Sequence, residues 1–262
     1  MKILLLLCLL LTSNAHASDM KKVDSILRNE KTTLRLRDWQ SVFNETLEEK
    51  SKSNAIEPEN AQKIRNLGKR IYVTSNLKEI YRLALAKELV DIDVKNISAW
   101  QETAIGKLIL KNLSSYFRKD IDQKANAFFG NNKLNNNRLN SLKSCFMAIK
   151  LMKQESEKRV MSDYGIEMAI NGYRTKSERI DEDAIKTILE SKRLHYERRT
   201  EETHFKYFAY AMRKLTDRQI EAYRKFAETN SGERFYKAQL KAIHVTGIRA
   251  GKTALNAAIK NL

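Results

Sequence analysis

Apolar residues recur three or four positions apart along most of the chain, which is the period of an amphipathic α-helix. One such stripe runs from Leu36 to Leu47, and another runs from Leu139 to Met152. The alternation of apolar and polar residues that is typical of strands is not found. The sequence contains one proline and eight glycines, so tight turns are few. The pattern therefore predicts an all-α fold.

This helical pattern occurs twice. The segment from Leu89 to Lys111 reappears from Leu215 to Lys237 at a constant offset of 126 positions, and weaker correspondence reaches back to Ala55. The stretch from Gly130 to Asn137 is rich in glycine and asparagine, which leave helical geometry readily, and is predicted to be a linker. We therefore predict two tandem, related multi-helix units, 18–135 and 136–262.

The most similar part of each unit is predicted to be a helix-break-helix elbow. Thr103 and Thr229 are placed to cap the second helix of their elbow, and Asp217 is placed to cap the first helix of the later one. A glycine three residues after each threonine allows the two helices to approach closely. An aromatic residue ends the first helix and is expected inside the elbow. The repeated structural residues are Trp100, Thr103, Gly106, Phe226, Thr229 and Gly232.

At these positions the chain resembles a family of exported bacterial domains of unknown function with a Phe-Tyr-x-Ser-Pro-x-Gly-x-Lys-type motif, present here as two diverged copies. The resemblance covers roughly 25 residues per unit. In the second copy Phe226, Thr229, Gly232 and Arg234 stand at the Phe, Ser, Gly and Lys positions. The departures are Ala227 and Asn230 in that copy and Gln101, Ala104 and Leu108 in the first. The resemblance implies a small helical exported domain without an established activity.

The elbow residues also have a second interpretation, in which they form a recognition surface with Glu228, Arg234 and Lys237 exposed. Capping and close packing already account for the repeated residues. We therefore expect the motif to be structural.

The N-terminus has the layout of a signal peptide. Lys2 precedes the apolar run Ile3 to Leu11, and Ala15-His16-Ala17 is a small-x-small cleavage site. The run is shorter than the roughly 20 apolar residues that cross a bilayer. Cys8 lies inside the run, whereas a lipid-attachment cysteine would follow small residues. We predict a signal peptide over 1–17 and an exported protein, periplasmic or secreted.

Removal of the signal peptide leaves Cys145 as the only cysteine. No intramolecular disulfide can then form, so the fold has to be stabilised by packing. Cys145 lies among Leu142, Phe146 and Ile149, and we expect it to be a small buried hydrophobic residue.

The precursor carries a net charge of +17, and the second unit is the more basic. It contains 26 basic and 16 acidic residues, against 22 and 16 in 18–135. Such a surplus favours polyanionic partners, although charges on helices are more often simply solvated. Basic residues interleaved with aromatic ones form the candidate polyanion-binding face. The aromatic rings either stack on a bound polyanion or belong to the helical core. Its members are Lys192, Arg193, Arg198, Arg199, Arg213, Lys214, Arg218 and Arg224.

Signals of catalysis are weak. His195, Glu201 and His204 form the one cluster whose helical spacing could suit a metal, and the sequence contains no His-x-x-x-His pair. No Gly-x-Ser-x-Gly elbow is present, and Gly251-Lys252-Thr253 lacks the first glycine of a phosphate loop. We predict no cofactor, no metal and no catalytic residue.

These observations favour an exported, non-enzymatic helical protein that binds another cell-envelope component, either a protein or an anionic polymer. Two alternatives stay open. One is an enzyme that acts on an envelope polymer or on nucleic acid, with His195, Glu201 and His204 as its candidate residues. The other is a polyanion-binding protein that uses the basic face.

Overall fold

The computed structural model describes residues 20–260, and the all-α prediction is confirmed, because these residues form helices and no strand. The predicted signal peptide, 1–17, lies outside the described residues. In chain order the helices are α1 (20–29), α2 (Thr32–Arg37), α3 (Trp39–Lys52), α4 (Pro58–Ile71), α5 (Thr74–Glu88), α6 (Asp91–Glu102), α7 (Ala104–Leu113), a 3₁₀ turn (Ser114–Phe117), α8 (Ile121–Asn131), α9 (Asn136–Ala148), α10 (Leu151–Tyr173), α11 (Glu182–Ala211), α12 (Asp217–Ala227) and α13 (Asn230–Ile259).

Helix α10 is the centre of the molecule. It packs most extensively against α13 and α11 and also against α3, so most of its surface is covered. The buried positions include four charged residues, Glu155, Glu157, Lys158 and Asp163. Buried charges are tolerated in proteins when they are paired. Each of these four has an opposite charge within ion-pair distance.

The hydrophobic core is continuous across the predicted unit boundary. One cluster of buried side chains extends from Val23 on α1 to Ala258 on α13. Helix α13 of the second half packs against α5, α6 and α4 of the first. The two halves therefore share their core, and the division at 135/136 stays a prediction. Cys145 belongs to this cluster, which confirms its predicted burial, and burial raises the pKa of its thiol.

Two local predictions from the sequence differ from the structure. The linker predicted over 130–137 is shorter, because α8 continues to Asn131 and the Asn135 side chain caps α9 by accepting from the Arg138 N–H. The residue that caps α12 is Thr216, which forms a capping box with Gln219, and Asp217 instead accepts from Arg138.

Both predicted elbows are present, between α6 and α7 and between α12 and α13. The hydroxyl oxygens of Thr103 and Thr229 each accept from a glycine N–H at 3.0 Å, the first from Gly106 and the second from Gly232. A Cβ atom on Gly106 would lie 2.1 Å from the Trp100 carbonyl oxygen, and one on Gly232 would lie 2.0 Å from that of Phe226. The glycines are therefore required by close backbone approach.

The two elbows contact each other. Trp100 stacks on Phe226 with ring centroids 3.9 Å apart, and these residues are equivalent in the sequence repeat. Asp93 is buried at the same junction and accepts from Ser231 and from the guanidinium of Arg234. Although burial acts to raise the pKa of Asp93, the hydrogen bonds and charge of Arg234 hold it below the ordinary value. Arg234 of the second half thus pairs with Asp93 of the first.

Candidate ligand-binding groove

Part of the predicted basic face is paired with the protein's own carboxylates. Arg193 pairs with Glu157 and Glu190, and Arg224 pairs with Glu221 and Glu228. The other two ion-paired members of the face are Lys192, with Asp163, and Arg199, with Glu49. Half of its eight members are therefore already paired.

The remaining members of the basic face differ in their surroundings. Arg213 lies over the Tyr210 ring, 3.7 Å from its centroid, and donates to the Tyr210 carbonyl oxygen. Arg198, Lys214 and Arg218 are exposed. They are the members of the face that are accessible and unpaired.

The three residues considered for a metal site are not brought together as a ligand set. His195 and Glu201 are exposed, whereas His204 is half-buried, and its Nδ1 lies 2.5 Å from the Tyr116 hydroxyl. Within residues 20–260, no three His, Cys, Asp or Glu side chains lie close enough to hold one ion. His204 instead lines a cavity of the described molecule.

This cavity is an open groove of about 940 Å³ between α3 and α11. Residues 155 and 159 of α10 lie at its floor, and the 3₁₀ turn and the start of α8 close one end. Cavities of about 300–1,000 Å³ hold drug-sized ligands. The groove is therefore large enough for an organic ligand of several rings or residues.

A buried ion-pair network lies beneath the groove. Lys158 is 1% exposed, and its Nζ contacts one Glu155 carboxylate oxygen and lies 3.3 Å from Asp38 Oδ2. Burial disfavours the charged form of Lys158, but Glu155 and Asp38 outweigh it and raise the pKa of the ammonium group. Lys158 therefore stays charged and fixes the two carboxylates that border the groove.

Three residues that line the groove carry buried polar atoms without a hydrogen bond in the protein. They are the Oε1 of Glu155, the Oδ1 of Asn44 and the Nε of Arg159. A buried polar atom left unpaired costs roughly 1–3 kcal/mol, so such atoms are uncommon in folded proteins. Thirteen such atoms occur in the described residues, and the three that line the groove are two acceptors and one donor.

The aromatic wall of the groove is ordered by hydrogen bonds. Besides the Tyr116–His204 contact, the Tyr207 hydroxyl donates to Asp122 Oδ1 at 3.0 Å. Burial lowers the pKa of His204 and raises that of Tyr116 well above its ordinary value. At neutral pH the imidazole is consequently uncharged and the phenol keeps its proton.

The rim of the groove carries balanced charge. Arg159 and Arg199 both bind the carboxylate of Glu49. Burial acts to raise the pKa of Glu49, but the two guanidinium groups lower it overall. The charged residues that line the groove number five of each sign: Arg37, Arg118, Lys119, Arg159 and Arg199 against Asp38, Glu45, Glu49, Asp122 and Glu155.

A second pocket, of about 430 Å³, lies between α4, α5 and α13 and has a different character. Its lining is mainly apolar, with Leu67, Leu77 and Ile80 among its members. None of the buried polar atoms that lack a hydrogen bond belongs to it. The polar groove is therefore the stronger candidate site.

Sequence reasoning identified some residues of the groove but not the groove. His204 was proposed as a metal ligand and Arg199 as part of the basic face, and both line the groove. Asn44 and Glu155 were missed because each lies on a helix with ordinary polar spacing. The available signal was the polar run from Lys153 to Arg159, which interrupts the apolar stripe of a long helix.

The chain matches no family model, and no curated protein or solved structure matches it. Among the helices of residues 20–260, none is both long and apolar enough to serve as a membrane span.

Proposed function

We propose that this protein is an exported, non-enzymatic binding protein whose groove between α3 and α11 holds a polar component of the cell envelope. The signal-peptide layout of 1–17 supports export. The observation that carries the binding role is the set of free polar atoms on Glu155, Asn44 and Arg159. Their bonding capacity is satisfied when a ligand with both donors and acceptors enters the groove.

The test blocks the groove at Thr203, an exposed residue of α11 that lines it. Thr203→Trp fills the groove, whereas Thr187→Trp places the same ring at an exposed position of the same helix outside it. Each mature protein is incubated with a low-mass envelope extract of the producing organism and examined by native mass spectrometry. We expect the wild type and Thr187→Trp to retain a ligand that Thr203→Trp loses. Retention of the same ligands by all three proteins contradicts the proposal.

A second candidate function is an enzyme that acts on an envelope polymer. It is supported by the uncharged imidazole of His204, which shares the groove with the carboxylate of Glu155. An uncharged imidazole beside bound substrate can accept a proton. His204→Gln separates the two functions: in a binding protein the retained ligand is unchanged, whereas in an enzyme the ligand still binds but its conversion stops.

The polyanion-binding alternative depends on the exposed cations Arg198, Lys214 and Arg218. Binding through several such contacts weakens steeply as salt rises. The neutral groove predicts little salt dependence for its own ligand, so a titration of ligand binding against salt distinguishes the two surfaces.

A further inference from the structure

We infer that the ligand of the groove is an uncharged oligosaccharide segment, an inference that rests on the binding function proposed above. The first step is the charge of the lining. Five cationic and five anionic side chains border the groove, and two of the cations, Arg159 and Arg199, share the carboxylate of Glu49. A site for a polyanion would instead present a surplus of positive charge. The balance favours a ligand without net charge.

The second step is the type of group that is left free. The unpaired atoms belong to a carboxylate, a carboxamide and a guanidinium, which are planar groups with two or more hydrogen-bonding positions. Glu155 and Arg159 are four residues apart on α10, so a free acceptor and a free donor lie on the same helix face. A hydroxyl group both donates and accepts, and it rotates to suit its partners. Neighbouring hydroxyls on a sugar ring match this arrangement.

The third step distinguishes a glycan from a peptide. Peptides are usually bound by an exposed strand edge or by a groove with apolar anchor pockets. The described residues form no strand, and most residues that line the groove are of polar type, with Val42, Phe117 and Ile121 as its aliphatic and phenylalanine members. The ring of the half-buried Tyr207 offers an amphipathic surface, which suits a ligand that is apolar on one face and hydroxylated at its edges.

Entry of the ligand requires a local change. The three free atoms are buried, and Glu155 is 4% exposed, so side chains of the groove have to move aside before a hydroxyl reaches them. The rim residues Arg37 and Lys119 are exposed and unpaired and can turn without breaking an ion pair.

The experiment measures binding by isothermal titration calorimetry with defined probes. The glycan probes are maltotriose, cellotriose and triacetylchitotriose, and the comparison probes are trialanine, triserine and tripolyphosphate. We expect at least one trisaccharide to bind the mature protein with a dissociation constant below about 1 mM. Asn44→Leu removes one acceptor and should weaken that binding about tenfold. Asn66→Leu, an exposed position on α4 away from the groove, should leave it unchanged.

The Thr203→Trp variant separates failure of this inference from failure of the proposed function. If a tripeptide or tripolyphosphate binds in a manner that Thr203→Trp abolishes and no trisaccharide does, the ligand class is wrong and the groove is still a binding site. If a trisaccharide binds the wild type and Thr203→Trp equally, both statements are wrong. If no trisaccharide binds the wild type, the glycan inference is wrong, and the retained-ligand experiment decides the binding function. Thr203 is exposed, so its variant is expected to fold.

Discussion

The two elbows and the groove differ in how many buried polar atoms lack a partner: the Ser98 hydroxyl on the elbow helix α6, against three atoms in the groove. In the elbows Thr103 and Thr229 satisfy the helix N-termini, and Asp93 is held by Ser231 and Arg234. In the groove three polar atoms are left without a partner in the protein. The elbows lie in the most similar segments of the chain, whereas the groove combines helices from both halves. Unpaired buried polar atoms occur in several parts of the described molecule, and three of them line the groove, which makes the groove the candidate binding site.

The largest expected effect is at the groove floor. Lys158→Met removes the cation from the buried Glu155 carboxylate and should destabilise the fold by about 3–5 kcal/mol, because an unpaired buried charge is costly. Urea unfolding of the mature protein measures this loss. Adding Glu155→Gln to that variant should restore part of the stability.

The matched control for this change lies on the same helix. Lys153 is exposed, so Lys153→Met should alter the free energy of unfolding by no more than about 0.5 kcal/mol. If the two methionine substitutions change the free energy of unfolding equally, the buried Lys158–Glu155 pair does not stabilise the groove floor. The contrast between groove and elbow would then depend on the unpaired atoms alone.

The elbows should be destabilised by steric clashes, not by the loss of a charge pair. Gly232→Ala and Gly106→Ala each place a Cβ against a backbone carbonyl oxygen, and we expect a loss of about 2–3 kcal/mol for each in the same unfolding measurement. Gly130 on α8 has no neighbouring atom within 4 Å of such a Cβ. Gly130→Ala should therefore be neutral or stabilising by up to about 1 kcal/mol. A loss at Gly130 equal to that at Gly232 would indicate that helix geometry, not close contact, governs these positions.

The difference between the regions also explains what could be predicted from the sequence. Helical periodicity, the caps at Thr103 and Thr229 and the burial of Cys145 depend on nearby residues, and these predictions are confirmed. The cap predicted for α12 was wrong because two adjacent residues, Thr216 and Asp217, both have side chains suited to capping, and Thr216 forms the cap.

The groove depends on residues that are far apart in the chain. The Lys158 to Asp38 contact joins residues 120 positions apart, and the Tyr116 to His204 contact joins residues 88 apart. No short sequence window contains either pair. The burial of the polar face of α10 follows from its central place in the bundle, which polar spacing alone does not reveal.

The smallest expected effect is a pH dependence that arises in the groove. Burial lowers the pKa of His204 from its ordinary value of 6.5, so between the folded and unfolded values the unfolded chain binds the additional proton. Stability should therefore be full above pH 6.5 and fall as the pH drops below it, by at most about 1.4 kcal/mol near pH 5.5. The lowered pKa values of Glu49 and Glu157 act only below their ordinary value of 4.5, whereas burial raises the pKa of Glu30 and its contribution is the same in the wild type and in a His204 variant. The unfolding temperature of His204→Gln should depend less on pH between pH 6.5 and 5.5 than that of the wild type.

His195 is exposed, and His195→Gln should keep the wild-type slope. If both variants keep that slope, the imidazole is accessible enough in the folded protein to take up its proton, and the groove is more open to water at His204 than its packing indicates.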